Sequence, residues 1–294
     1  MNLILAEIMP KGGVLWDSSH LSAGNMLAVL IVLLLICIGI TIDFALVTYC
    51  IKRPSRLSDG VPPLTKRALP GKVVLLLVLV SVGLYLVNSL VYGLLFPASS
   101  EVEPHTILFQ MLFLQIPVLL ILFGVVRSLK TPDCDRLGLG REEAGRMLCL
   151  SAVFYLAAFP LLLFYNWLYQ IFLDQLGYEF YLQDVSQVFL MPMSGAVRAA
   201  IFFAAIIAAP VFEEIIFRGV LFPWLVRRTG FWPGVLLISI FFAGMHLHLP
   251  SFLPLFLLSV MFCVAYTRTR SLWVPIGMHA CFNAVSVLLL TLMG

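Results

Sequence analysis

Charge is what this sequence has least of. Only 11% of its 294 residues are Asp, Glu, Lys or Arg, where a soluble domain carries about a quarter. With 62% hydrophobic residues and a mean hydropathy of +1.05, that scarcity excludes a water-soluble globular domain and leaves an integral membrane protein. The net charge of +3 is too small for a nucleic-acid footprint and fits orientation in a membrane and contact with anionic lipid. Cysteine is also sparse, with six residues and no C-x-x-C pair. Cys37, Cys149, Cys263 and Cys281 fall in apolar runs, and Cys50 and Cys134 lie towards a reducing face, so neither a disulfide nor a cysteine metal site is expected. There is no G-x-S-x-G or H-E-x-x-H motif, no internal repeat, no low-complexity segment, and no period-two alternation of barrel strands. These absences remove the serine-elbow hydrolases, the zincins and the β-barrels.

What is present is a series of apolar runs near the 20 residues a membrane helix needs. About eight are readable: Asn25–Tyr49, Val73–Phe96, Thr106–Val126, Met147–Leu168, Ala196–Val226, Pro233–Leu249, Phe252–Thr267 and Leu272–Met293. The fold class is therefore all-α, a polytopic transmembrane helix bundle, because open sheet edges go unsatisfied in lipid. The first run exceeds a signal-peptide core and lacks a basic segment before it, so it is expected to stay as an anchor. Within the single bundle, residues 1–195 supply helices and loops without a motif, and residues 196–294 crowd four helices together with almost no connection.

Basic residues alternate between connections. Lys52, Arg53, Arg56, Lys66, Arg67 and Lys72 mark the first, Arg127, Lys130, Arg136, Arg141 and Arg146 the third, then Arg227 with Arg228, and Arg268 with Arg270. Glu101, Glu103, Asp174, Glu179 and Asp184 occupy the others. The bias predicts cytoplasmic basic loops and outward termini. Tyr169–Gly195, with Phe172, Tyr178, Phe180 and Tyr181 among acids and glutamines, reads as an interfacial amphipathic helix or a long loop.

Against this background the stretch EEIIFRG, Glu213–Gly219, stands out. An ionisable group at bilayer depth costs about 2.5 to 3.5 kcal/mol even on a lenient scale. Glu214 and Arg218 are spaced i, i+4 with the acid first, so they neutralise each other. Glu213 points about 100° away and is left over. On the sixth helix His246 lies four after Phe242, and on the eighth His279 and Asn283 lie one turn apart. At 1.5 Å per residue, Glu213 lies about 21 Å from Arg227, His246 about 20 Å from Pro233, Asn283 about 18 Å and His279 about 12 Å from Ser271. Four polar side chains on three helices can meet at one level. A carboxylate shielded from bulk water can act as general base toward water, with an imidazole sharing that water. A second imidazole and a carboxamide can donate to the oxygen of a tetrahedral intermediate.

EEIIFRG, FAGMH and HACFN together resemble the EExxxR, FxxxH and HxxxN motifs of the CPBP family, the intramembrane proteases that include the type II CAAX prenyl endopeptidases and bacteriocin-processing proteins. The resemblance covers roughly Ala196–Met293, with LGLGR at Leu137–Arg141 as minor added support. It implies an intramembrane endopeptidase in which Glu213 activates water with His246, His279 and Asn283 are oxyanion donors, and Glu214, Arg218 and Phe242 support them. The family is also described as metalloproteases, and Glu213, His246 and His279 equal in number a three-ligand zinc site. A metal-free glutamate mechanism uses all four polar residues and requires no cofactor. The expected partners are the bilayer and a membrane-anchored, membrane-embedded or lipid-modified, CAAX-like peptide, and the location is the plasma membrane if the source is bacterial.

Each residue also has a structural reading. A Glu–Arg pair in a membrane helix serves packing as often as chemistry. His279 and Asn283 can simply bond between helices, and Phe242 reads as packing. His20, His105 and His248 read as surface or interfacial histidines, and Asp43 as an isolated polar residue near a span end. Two rival functions follow. A non-catalytic scaffold or assembly factor would have no use for all four polar groups, and a proton-coupled transporter should show broken helices in repeated halves.

Overall fold

The computed structural model describes residues 22–52, 61–96, 104–128, 137–140, 144–178 and 184–293. His20, Arg53, Arg56, Glu101, Glu103, Lys130, Cys134, Arg136, Arg141, Glu179, Phe180 and Tyr181 lie outside these. The elements are α1 (Ala23–Lys52), α2 (Val61–Lys66), α3 (Gly71–Leu95), α4 (Pro104–Ser128), α5 (Ala144–Gln175), α6 (Asp184–Val188), α7 (Gly195–Thr229), α8 (Phe231–Gly244), α9 (Leu249–Thr269) and α10 (Trp273–Met293). The chain is an all-α multi-pass membrane bundle. Seven of these helices are long and apolar enough to cross a bilayer.

Each expected run is helical, with two instructive differences. The fourth helix continues through Tyr169 to Gln175, so the connection assigned to 169–195 begins only at Leu176. Of that connection, Asp184–Val188 forms one short helix. The sixth run is the shorter α8, 14 residues, about 21 Å long at 1.5 Å per residue against a hydrocarbon core of about 30 Å. His246 thus lies just past the helix, in a turn. The chain reverses at Leu247, whose φ is +48°, a backbone region unfavourable to a side chain with a Cβ.

Prolines shape the long helices. Met111–Gln115, Ala204–Ala208 and Ile215–Leu221 are π-helical, and each ends two residues before Pro117, Pro210 or Pro223. A proline lacks an N–H and its ring collides with the carbonyl four residues back. Widening the turn to i→i+5 relieves that collision while keeping the helix continuous.

Helix association in lipid rests on close packing more than on expulsion of water. At Gly277 a Cβ would collide with Ser151 Oγ, and at Gly39 with the Leu156 carbonyl and the Pro160 ring, so these glycines set how closely α10 and α1 approach α5. The core lies in the later helices, around Phe159, Phe242, Leu258, Phe262, Tyr266 and Leu272, each 0 or 1% exposed. The basic connections gather at one end. Arg67 donates to the Arg270 carbonyl at 2.7 Å, and Gly71 lies beside the Arg228 guanidinium. The LGLG residues Leu137–Gly140 dock there. The Leu137 carbonyl accepts from Tyr266 (3.2 Å), the Gly138 carbonyl from the Leu272 N–H (2.8 Å) and the Gly140 carbonyl from Trp273 Nε1 (3.1 Å).

Cys37 and Cys149 are exposed on the bundle, Cys263 is buried and Cys281 lies between, all four as free thiols. Asp43 is half-buried within α1. His105 hydrogen-bonds Tyr92 across the α3–α4 hairpin (3.1 Å). His248, expected near water, is instead buried at 5% exposure, with Nδ1 2.7 Å from Ser251 Oγ.

Candidate active site

The polar centre is built outward from one buried cation. Arg218 is fully buried on α7, where an unpaired charge would be prohibitive. Its Nη1 donates to Glu214 Oε1 at 2.8 Å, as the i, i+4 spacing requires. Its Nη2 donates to Ser259 Oγ on α9 at 2.7 Å. The guanidinium carbon lies 4.5 Å from the Phe242 ring centre and 5.0 Å from that of Phe262, distances at which ring quadrupoles attract a cation. Phe242 is therefore a wall of the site, as its packing role anticipated.

Glu214 also receives His279. Nδ1 of His279 lies 3.0 Å from Glu214 Oε1. An ion-paired carboxylate can only accept, so Nδ1 carries the hydrogen and Nε2 turns the other way. Nε2 faces Glu213, at 4.0 Å from Oε2. Adjacent carboxylates thus have opposite settings. Glu214 is fully buried with both of its bonds on Oε1, while the Glu213 side chain is 24% exposed, and Oε2 of each carboxylate has no hydrogen-bond partner among the described residues.

The remaining two residues each hydrogen-bond a backbone carbonyl. The Nδ1–H of His246 donates to the Phe242 carbonyl at 2.8 Å, which leaves Nε2 as the acceptor. Its ring sits 5.1 Å from that of Phe242, and the Phe242 ring 5.8 Å from His279. Phe242 thus stands next to both imidazoles. Asn283 reaches away from the carboxylates, with Nδ2 donating to the Ala205 carbonyl at 2.8 Å. That carbonyl has lost its usual donors: the Ala209 N–H bonds Ala204 instead, and Pro210 has none. One hydrogen of the Asn283 amide remains available.

Sequence reasoning missed Ser259, because a lone hydroxyl in an apolar helix carries no signal until its partner is known. Among the described residues, no group of three or more His, Cys, Asp or Glu is arranged to hold a metal ion. Glu213, His246 and His279 are not gathered into such a group.

The fold and the buried ionic centre define an integral multi-pass membrane protein with a polar site inside its helices. Residues 195–285 match the family model described as type II CAAX prenyl endopeptidase Rce1-like. A Bacillus subtilis (strain 168) protein described as "Putative membrane peptidase YdiL" is 35% identical over 83 residues, 28% of this chain. The match covers 34% of that relative's length. No solved structure matches significantly. The family match lies in the last third of the chain, the part that carries the three motifs.

Proposed function

We propose that the chain is an intramembrane endopeptidase that hydrolyses a peptide bond of a membrane-embedded or lipid-modified, CAAX-like substrate. The observation that carries this reading is the contrast between the two carboxylates. Glu214 is fully buried and its Oε1 is shared by Arg218 and His279, while Glu213 is part-exposed, has no cation bonded to it among the described residues and lies 4.0 Å from an imidazole. A purely structural pair needs Glu214 and Arg218 only.

In this mechanism Glu213 takes a proton from a water that also hydrogen-bonds His246 Nε2, and the water oxygen adds to the scissile carbonyl. The carbonyl π electrons move to oxygen. The oxyanion accepts a hydrogen bond from the free Asn283 amide hydrogen, a donor type worth about 3 kcal/mol in a dry site, and a second from His279 Nε2 when the ring is the imidazolium. Collapse breaks the C–N bond, and Glu213 returns the proton to the leaving nitrogen. Non-helical backbone at membrane depth is tolerated where it is enclosed by protein or lines water. The turn at Met245–His248 beside the site is such a segment and fits water entry.

The test compares membranes from cells carrying wild type or Glu213→Gln at equal expression, by terminal-peptide proteomics. New termini found only with wild type are expected, at least about 100-fold above the variant, with the thermal midpoint unchanged. Identical profiles accompanied by a physiological effect of both chains would overturn the protease reading in favour of a scaffold.

A further inference from the structure

The turn that carries His246 is gripped from α5, a helix outside the segment that matches the family. Tyr169 OH donates to the Leu249 carbonyl at 3.0 Å. Next to it, Gln170 Nε2 donates to the Pro250 carbonyl at 3.3 Å and to Asn166 Oδ1 at 3.3 Å. The Pro250 carbonyl has a covalent reason to need that donor. In a helix it would accept from the N–H of residue 254, which is Pro254 and has none. An amide from a neighbouring helix stands in for a backbone N–H. Asn166, fully buried one turn earlier on α5, holds that amide in place.

The stretch from Met245 to Ser251 is thus tied at both ends. On one side His246 Nδ1 donates to the Phe242 carbonyl. On the other, α5 fixes the first carbonyls of α9. Between them Leu247 adopts a φ of +48°, a conformation that persists only where its surroundings impose it. We propose that Tyr169 and Gln170 are positioning residues for His246. By fixing the start of α9 they keep the strained turn in place and hold the imidazole beside Phe242. This rests on the reading of His246 as part of the hydrolytic site. Neither residue touches the reacting groups.

The test uses the full chain as wild type, Tyr169→Phe, Gln170→Ala, Pro254→Ala and the double variant Gln170→Ala with Pro254→Ala, in which residue 254 regains an N–H that can reach Pro250. Two readouts are taken: amide hydrogen exchange across residues 245–251 of the purified chain, and the abundance of Glu213-dependent termini in membranes. For Gln170→Ala, exchange should rise across 245–251 and stay unchanged across 209–214, while the termini fall by about tenfold or more. Tyr169→Phe should act in the same direction, and the double variant should recover both readouts towards Pro254→Ala alone. Unchanged exchange in Gln170→Ala, a rise that the second substitution does not reverse, or raised exchange with wild-type levels of termini would each overturn the proposal. If Glu213→Gln itself matches wild type, the protease reading fails, and the exchange measurement still decides whether α5 holds the turn.

Discussion

The outer helices α1, α3 and α4 are at least as apolar as the inner helices α5, α7, α9 and α10, and the two sets do different work. Only 17% of the most apolar window is buried within the protein in each outer helix, against 50% in α9. Hydropathy therefore marks which segments enter the membrane and ranks the lipid-facing ones slightly higher, but it does not say which residues of the inner helices face one another. The distinguishing marks are small and specific: prolines that free carbonyls, glycines that admit a neighbour, and polar side chains that take up what the prolines released.

That comparison can be broken most severely at Arg218. Arg218→Leu should cost about 3 to 5 kcal/mol, because Glu214 would be left buried without its cation. The checking measurement is the temperature at which the detergent-purified chain loses its monodisperse chromatographic peak, and replacing both Glu214 and Arg218 by Leu should recover part of the loss. Gly277→Ala pushes a methyl group into Ser151 and should cost about 1 to 3 kcal/mol, partly relieved by Ser151→Gly. Ser259→Ala removes the shorter of the two bonds that Nη2 makes on α9. A loss of about 1 to 2 kcal/mol is expected in the same assay, with Ser259→Thr retaining more stability than Ser259→Ala. The smallest effect belongs to the outer region: Leu90→Ala on α3, 65% exposed, should stay within about 0.5 kcal/mol. An effect there as large as at Gly277 would mean that α3 packs against a partner.

The helical spans were legible because about 20 apolar residues in lipid have few alternatives. The Glu214–Arg218 pair was legible too, since i, i+4 geometry is local. His279 could be set near the carboxylates by comparing helix depths, but its bond to Glu214 was not legible, because the contact joins residues 65 apart in the chain. The end of α8 was hidden, since the three apolar residues of Met245–Leu249 extend the run past the two histidines and the reversal lies in one backbone angle. The bond from Asn283 to the Ala205 carbonyl was not legible, because spacing does not reveal that a π turn and Pro210 strip that carbonyl of its donors. Tyr169 and Gln170 were assigned to a connection on composition. The usable signal was Gln170 following Asn166 at i+4, the phase of a continuing helix.

The shortness of α8 also reaches beyond the protein. Trp232, Leu236, Leu237, Ile240, Phe241 and Met245 are all exposed, so its outer face presents apolar side chains to acyl tails over only about 21 Å. Tails bordering that face must tilt or disorder to match it, and the leaflets draw together locally. A span this short favours local thinning of the bilayer beside the turn that carries His246.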